Sequence, residues 1–457
     1  MSTMRLGLAF SGGGSRAAGF HRGTLDALFN AGILSDEKIA KGEVAVSSVS
    51  GGTIFSAAWL ASMADKKSRA DFLKEMKDEL KKGFIGRTIR FRLLKTILPG
   101  YSRSHALAKT FDKIFFKKKT LKDLPQEPPI SLNTTILNNG QVGKFSRDGF
   151  RASSFLTRAE VELPDFPLTM AVTASAAFPV GLTPVYLKIG KVIPKNLVQE
   201  EYRKHKRIAL SDGGVLENLG VQSLLLSGKP FKSWDIVSSD AGAPSKPWKP
   251  GKIMDKIMGI GMGFISAPIL KQITLVMNDK ENRHTRNHLF EALEKSWLVS
   301  GIDKPDVAKA PGMQEYVKSQ PHKDRRRVLF LYIDQNWTDF FYNMPEWRLV
   351  ELMDQYTKRT GQPAIPLPTK PQWFDPEEKR KTYALEVVKI LKQILDSPRA
   401  DRLAEAEKVY TDMGKDETVE KVKAISTGFS GLSEEKLNGL YNHAYWQVMA
   451  SVAAYWS

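Results

Sequence analysis

LGLAFSGGGSRAAGF, residues 6–20, sets the pattern of this chain. Leu6 to Phe10 has the length and apolar character of a buried strand, and the run of glycines after it predicts a sharp turn. From Arg16 to Asn30 the apolar residues recur at helical spacing. A strand, a glycine loop and a helix in succession form the first unit of an alternating α/β fold.

The same order recurs downstream. Val44 to Val49 is a second apolar strand that breaks at Ser50-Gly51-Gly52, and Thr53 to Met63 continues as a helix. Further strand-like runs are Ile130 to Leu137, Arg207 to Leu210 and Asp235 to Ser239. We therefore expect a mainly parallel sheet that is complete near residue 245.

The second half of the chain has a mainly helical pattern. It contains one strand-like run, Val328 to Ile333, and a proline-rich connection from Pro363 to Pro371. No clean linker divides the chain. We therefore predict an α/β core at residues 1–245 and a mainly helical completion of the same domain at residues 246–457.

Composition limits the chemistry of this 457-residue chain. It has no cysteine, which excludes disulfides, thiolate catalysis and cysteine-ligated zinc. Met1 to Phe10 lacks a basic region followed by a long apolar stretch, so we expect no signal peptide and a cytoplasmic protein. Leu437 to Ser457 carries no formal charge, but its polar residues favour a packed terminal helix over a membrane span.

Positive charge is concentrated in one segment. The chain carries a formal charge of +18, and Lys81 to Lys122 holds thirteen basic residues and one acid, Asp112. Apolar residues recur there at i,i+4 spacing, at Ile85, Ile89, Leu93 and Ile97. Such a basic amphipathic insertion suits an anionic membrane surface, and nucleic acid or a solvated face are the alternatives. We expect peripheral membrane contact and no nucleic-acid partner.

The turn after the second strand has the sequence Ser48-Val49-Ser50-Gly51-Gly52. A serine on a sharp strand-to-helix turn is the arrangement of a nucleophile elbow, which requires small residues two positions before and after it. Ser48 and Gly52 meet that requirement, although the usual pattern has glycine in place of Ser48. Ser50 is therefore a candidate nucleophile, and a plain Gly-Gly turn that opens a helix is the alternative.

The glycine loop after the first strand, Gly12-Gly13-Gly14-Ser15-Arg16-Ala17, presents backbone N–H groups at the start of a helix. Such a loop holds either a phosphate or an oxyanion. Its spacing also fits a dinucleotide-binding fingerprint, with Asp36 near the place of a ribose-binding acid. The serine elbow one strand later favours a hydrolase, because hydride transfer has no use for it.

A third motif, Ser211-Asp212-Gly213-Gly214, follows a strand-like run. Glycines after the acid allow a tight turn and the close approach of another backbone, so Asp212 can face a serine. An aspartate that caps a turn is the alternative for any isolated Asp-Gly pair.

Together and in this order, the three motifs resemble those of the patatin-like phospholipase family. Gly12 to Ala17 resembles the family's oxyanion loop, Ser48 to Gly52 its nucleophile motif and Asp212 to Gly214 its base motif. Ala17 and Ser48 each replace a glycine of the pattern. Further resemblances are the block Ala174 to Pro179 and the segment Asn218-Leu219-Gly220, with Leu432 to Tyr455 similar to the ends of longer bacterial members.

This resemblance implies a three-layer α/β/α sandwich with a helical C-terminal extension, and a catalytic core at residues 1–245. It implies a Ser50–Asp212 dyad that cleaves acyl esters of membrane phospholipids through an acyl-enzyme. Oxyanion donors would come from Gly12, Gly13, Gly14 and Gly51, with no metal or cofactor. Arg16 would orient the loop or contact a lipid phosphate.

Other functions remain open at this stage. A carboxylesterase for neutral glycerides would use the same residues. A catalytically silent membrane-binding protein and a nucleotide-binding oxidoreductase are further alternatives. A Ser-His-Asp triad would need a histidine downstream of Asp212, and the formal candidates are His284, His288, His322 and His443, none of them in a glycine-bounded turn. His21 lies one turn into the first helix, near the expected site.

Overall fold

A computed structural model describes most of the chain. The described residues are 5–84, 102–158, 160–179, 182–225, 235–242, 297–300 and 326–456. Residues 85–101, which carry the predicted i,i+4 apolar repeat of the basic insertion, lie outside them, as do His284, His288 and His322.

The described strands join in one sheet. They are β1 Leu6–Phe10, β2 Val44–Val49, β3 Ile130–Ile136, β4 Gln141–Phe145, β5 Gly149–Arg151, β6 Glu160–Glu162, β7 Val185–Lys188, β8 Arg207–Asp212, β9 Asp235–Asp240, β10 Trp297–Ser300 and β11 Arg326–Tyr332. Their order is β10-β11-β9-β1-β2-β3-β4-β5-β6, with β8 beside β3 and β7 beside β8. From β10 to β3 every neighbouring pair is parallel, and the remaining pairs are antiparallel.

The strand β3 brings the ends of two other strands together. Its first half pairs with β2, where Val49 lies opposite Asn133. Its second half, which begins at the next residue, pairs with β8, and there Asp212 lies opposite Thr134. Because β2 is parallel and β8 antiparallel to β3, the carboxyl ends of β2 and β8 meet head to head. The next residue after β2 is Ser50.

Helices cover the sheet and build the C-terminal region. They are α1 Gly14–Asn30, α2 Asp36–Ala40, α3 Gly51–Ala64, α4 Arg69–Lys82, α5 Arg103–Phe111, α6 Leu168–Ser175, α7 Gln222–Leu225, α8 Trp337–Tyr342, α9 Glu346–Thr360, α10 Glu377–Ile394, α11 Ser397–Asp412, α12 Lys415–Lys423 and α13 Glu434–Tyr455. Among the described residues, none of these helices is both long and apolar enough to cross a membrane.

The sheet is buried on both faces. Leu8 and Phe10 of β1 point into the larger apolar cluster with α1, α3 and α13, whereas Ala9 points to a smaller cluster that contains Leu219, Val221 and Leu224. Both faces of the central strands are therefore covered, as parallel sheets require. The predicted mainly parallel α/β sheet with flanking helices and a helical C-terminal region is confirmed.

One expectation about the sheet is wrong. It is not complete near residue 245, because β11 pairs in parallel with β9 and β10 pairs with β11. The C-terminal region thus adds two strands to one edge of the sheet as well as helices. The run Val328 to Ile333 was predicted as a strand, but its sequence does not show which strand it joins. The terminal helix α13 is packed, and Trp446 and Val448 are fully buried in it.

Candidate active site

Ser50 occupies a strained turn between β2 and α3. Its backbone angles are φ 52° and ψ −117°, a region that residues with a side chain rarely adopt and that costs about 1–3 kcal/mol. The turn also needs glycine two residues later, since a Cβ on Gly52 would lie 2.3 Å from the carbonyl oxygen of Phe10. The predicted elbow geometry is present, and it holds the Ser50 side chain away from the strand it follows.

Asp212 and Ser50 are hydrogen-bonded to each other. Ser50 Oγ donates to Asp212 Oδ2 at 2.6 Å. The other carboxylate oxygen accepts the Gly214 N–H at 2.7 Å. The Asp212 main chain is fixed as well, because its N–H donates to the Ala177 carbonyl at 3.0 Å and its carbonyl accepts the Thr135 hydroxyl at 2.8 Å. The acid is thus held in one orientation toward the serine.

The glycine loop lies against this pair. Gly13 and Gly14 have φ of 140° and 59°, which glycine adopts without strain. A Cβ on Gly51 would lie 2.4 Å from the Gly14 carbonyl oxygen, so the starts of α1 and α3 touch. The amides of Gly13, Gly14 and Gly51 stand at or before the first residue of a helix, where N–H groups have no intrahelical acceptor. Three potential donors are thus gathered beside Ser50.

Gly12 differs from the other three glycines that the sequence suggested as oxyanion donors. Its N–H donates to the Asn218 carbonyl at 3.0 Å, so this amide is already engaged. A Cβ at Gly12 would lie 3.1 Å from Ser50 Cβ and 2.2 Å from Asn218 Oδ1. Gly12 therefore allows the close approach of the loop to the serine, and it does not offer a free donor.

Residues 8–225 match the family model of the patatin-like phospholipases. This part of the chain is a patatin-like phospholipase domain. The match contains the glycine loop, Ser50 and Asp212, and it confirms the resemblance that these motifs suggested. No curated protein matches the chain.

Solved structures that match part of the chain include human GIVD cytosolic phospholipase A2, at 15% identity and a TM-score of 0.38. That match covers 56% of this chain and 46% of the human chain. A second is the same human protein in complex with methyl gamma-linolenyl fluorophosphonate, at 15% identity and a TM-score of 0.33, covering 51% and 40%. The present chain spans less than half of these neighbours' length.

Burial sets the acidity of the candidate base in the patatin-like domain. Asp212 is 2% exposed, and its desolvation raises the pKa of the carboxyl from 3.8 to about 7. The hydrogen bonds from Ser50 and Gly214 act in the opposite direction and are outweighed. A carboxyl with a pKa near neutrality is matched to proton transfer at neutral pH.

His21 bonds to the residue before the glycine loop and to β9. Its Nε2 lies 3.0 Å from the Ser11 carbonyl oxygen, which can only accept, so Nε2 carries the proton. Its Nδ1 then accepts from the Ser239 hydroxyl at 2.8 Å. Complete burial lowers the pKa of this imidazole to about 4, which keeps it neutral. His21 therefore supports the loop that precedes the glycines.

His443 is the described histidine among the formal triad candidates. It is fully buried in α13, where its Nε2 lies 2.9 Å from the Ile333 carbonyl oxygen. Burial lowers the pKa of this imidazole to about 3. Its contacts are those of a neutral core side chain, and the two carboxylate oxygens of Asp212 are occupied by Ser50 and Gly214.

Arg16 is buried beneath the glycine loop. The residue is 1% exposed, and its Nη1 donates to the Ile425 carbonyl at 3.0 Å. Burial lowers the pKa of the guanidinium to about 10, against the opposing effect of Asp240 and Asp334. This position favours the orienting role that the sequence suggested and argues against a contact with a lipid phosphate.

Asp36 is far from the place that dinucleotide binding would require. In that fold the acid follows the second strand, at the same edge of the sheet as the glycine loop. Here Asp36 begins α2, before β2, and the residue that follows β2 is Ser50. The oxidoreductase alternative therefore lacks its ribose-binding acid.

Ser48 replaces the first glycine of the nucleophile motif, and its surroundings explain why a hydroxyl fits. It is fully buried, and its Oγ accepts hydrogen bonds from Ser56 at 2.8 Å and Thr53 at 3.1 Å. Both donors lie on α3, so they tie this helix to β2. The departure from the family pattern is thus compensated within the chain.

Glu217, to which no sequence motif assigned a role, shapes the loop after Asp212. Its buried carboxylate accepts the N–H groups of Leu219 at 2.6 Å and Gly220 at 2.8 Å. Burial raises the pKa of this carboxyl to about 7. The loop presents the Asn218 carbonyl to Gly12, so Glu217 links the acid's loop to the glycine loop. An acid just before a short helix was its only signal in the sequence.

Proposed function

We propose that this protein is a lipid acyl hydrolase of the phospholipase A type, which cleaves fatty acyl esters of glycerophospholipids through Ser50 and Asp212. The observation that carries the proposal is the 2.6 Å hydrogen bond from Ser50 Oγ to Asp212 Oδ2, made in a strained elbow inside a patatin-like domain. Ser50 or Asp212 considered alone would not show whether the residue is catalytic or only part of a turn.

The reaction begins with the transfer of the Ser50 hydroxyl proton to the carboxylate of Asp212. The serine oxygen attacks the ester carbonyl, and N–H groups of Gly13, Gly14 and Gly51 stabilise the oxyanion. Asp212 returns the proton to the leaving alcohol, which leaves an acyl group on Ser50. Water, deprotonated by Asp212, then releases the fatty acid and restores the serine.

The choice of a phospholipid substrate rests on the family and on charge. Each buried CH₂ of an acyl chain contributes about 0.8 kcal/mol, so burial of the chain alone would be enough to hold the substrate while its head group stays at the surface. A net charge of +18 favours anionic lipid surfaces. Neutral glycerides are the second candidate substrate, because the same serine chemistry accepts any leaving alcohol that fits.

The basic insertion, Lys81 to Lys122, is proposed to make peripheral contact with anionic membranes. Part of its charge is paired, since Lys81 bonds to Glu434 at 2.8 Å and Lys119 to Asp65 at 2.6 Å. The exposed cations of its described part include Arg103, Lys109, Lys113, Lys117 and Lys118. Each cation near such a surface contributes on the order of 1 kcal/mol.

Charge reversal tests this contact. The triple variant Lys113→Glu, Lys117→Glu and Lys118→Glu is expected to lose binding to anionic vesicles in co-sedimentation. A matched triple variant, Lys389→Glu, Lys408→Glu and Lys415→Glu, changes the net charge equally at exposed positions of the C-terminal helical region and is expected to keep binding. Equal losses in the two variants would mean that net charge, rather than this segment, drives the interaction.

Fatty acid release from mixed anionic phospholipid vesicles tests the proposed function. The wild type is expected to release fatty acid, and Ser50→Ala and Asp212→Asn are expected to lose release while they remain folded. Release from triglyceride emulsions and not from phospholipid would favour the neutral-ester alternative. Vesicle binding without release from either substrate would favour the silent membrane-binding protein.

A further inference from the structure

Ser175 contacts the backbone of the candidate nucleophile. It is the last residue of α6 and is fully buried. Its Oγ accepts the main-chain N–H of Ser50 at 3.0 Å and donates to the Asn133 carbonyl at 2.6 Å. One hydroxyl thus connects the elbow to β3, the strand on which β2 and β8 meet.

The same segment holds the candidate base. Two residues after Ser175, the Ala177 carbonyl accepts the main-chain N–H of Asp212 at 3.0 Å and the Ser211 hydroxyl at 2.9 Å. The end of α6 and the residues just after it therefore bond to the main-chain N–H groups of both Ser50 and Asp212. A shift of this segment would change the distance between the two side chains.

The bond to Ser50 matters because the elbow is strained. A residue at φ 52° persists only when its surroundings over-determine that conformation. The Ser50 N–H precedes α3 and has no intrahelical acceptor. Without Ser175 Oγ, this buried donor would be unpaired, and relaxation of φ would move Ser50 Oγ away from Asp212.

We propose that Ser175 is a positioning residue, which holds the Ser50 backbone so that the nucleophile stays aligned with Asp212. This inference rests on the proposed function. Ser175 transfers no proton and touches no substrate in the mechanism above, so its effect is exerted through Ser50.

Ser56 supplies a matched control. It is fully buried and belongs to the same group of hydroxyls, and its Oγ donates to Ser48 Oγ at 2.8 Å. Ser56→Ala removes the same atom as Ser175→Ala from the same core, yet Ser56 has no bond to the Ser50 backbone. A general loss of core polarity would affect both variants alike.

Burst kinetics with a chromogenic ester separate positioning from folding. The burst amplitude counts competent enzyme, and the burst rate constant reports acylation of Ser50. Ser175→Ala is expected to keep the wild-type amplitude and to lose about 10- to 100-fold in the rate constant. Ser56→Ala is expected to keep both. A Ser175→Ala variant with a reduced amplitude and an unchanged rate constant, or equal rate losses in both variants, would overturn the proposal.

Amide exchange at Ser50 tests the hydrogen bond without catalysis. Hydrogen exchange with residue-level mass spectrometry is expected to show a Ser50 amide that exchanges at least about tenfold faster in Ser175→Ala than in wild type. Ser56→Ala should leave that rate unchanged. A wild type that cleaves no ester would refute the proposed function alone, whereas unchanged exchange in Ser175→Ala would refute the positioning role.

Discussion

Replacing Asp212 by asparagine is predicted to change how stability depends on pH. In the fold, burial raises the pKa of this carboxyl from 3.8 to about 7, so the folded state prefers the protonated form. Between pH 3.8 and about pH 7, Asp212 therefore keeps its proton in the folded protein and has lost it in the unfolded chain. The free energy of unfolding must therefore fall as pH rises from about 4 to about 7.

The size of this effect follows from the shift. At 1.36 kcal/mol per unit, a rise from 3.8 to about 7 corresponds to about 4 kcal/mol over the whole window. Between pH 5 and pH 8 the expected loss is about 2–3 kcal/mol. Asparagine does not titrate, so Asp212→Asn should lack this part of the pH dependence.

Urea unfolding of wild type and Asp212→Asn at pH 5, 6, 7 and 8 measures the difference. Other buried groups also titrate, notably His21 with its lowered pKa and Glu217 with its raised one, but they are present in both proteins and cancel. Relative to the variant, the wild type should lose stability steadily as pH rises. A difference that stays constant across the four pH values would refute the argument that Asp212 is desolvated and protonated at low pH.

Three further predictions concern the elbow and its supports. Ser50→Gly should be more stable in urea than Ser50→Ala by about 1–2 kcal/mol, because glycine adopts φ 52° without strain; equal stabilities would contradict a strained elbow. Gly51→Ala should lower kcat at least about 100-fold, because its Cβ would lie 2.4 Å from the Gly14 carbonyl oxygen. Gly32→Ala, whose added Cβ would meet open space, should keep wild-type turnover, and a similar loss there would point to a general folding defect. Ser48→Gly should lower the free energy of unfolding by about 1–3 kcal/mol, because Ser56 loses its acceptor and Thr53 keeps only its contact with Ser175; unchanged stability would show that the Ser56 hydroxyl finds another partner.

Local patterns account for the parts of the fold that the sequence could predict. The bounds of β1 and β2 follow from short apolar runs that are each followed by a serine and glycines, and the elbow follows from a serine between a strand and two glycines. The short strands β5 and β6 were missed because three residues are too few to show a period of two. The place of β11 beside β9 depends on contacts between distant segments, which no local pattern encodes.

Some residues of the candidate site could likewise be predicted from local motifs, and others could not. Ser50 and Asp212 stand in recognisable motifs, and the family resemblance suggested that they form a pair. Their contact arises because β2 and β8 pair with the same side of β3. Neither motif predicts this long-range pairing. Ser175 and Glu217 act through hydrogen bonds to backbone groups. Such roles require coordinates, because an isolated serine or glutamate has no distinctive spacing.

Covalent labelling of Ser50 tests the central claim most directly. A lipid fluorophosphonate would be incubated with wild type, Ser50→Ala and Asp212→Asn, and the modified residue would be identified by peptide mass spectrometry. The dyad predicts one adduct on Ser50, none in Ser50→Ala and much slower labelling in Asp212→Asn. Labelling at another serine, or equal rates in wild type and Asp212→Asn, would contradict the assignment of Ser50 as the nucleophile and Asp212 as its base.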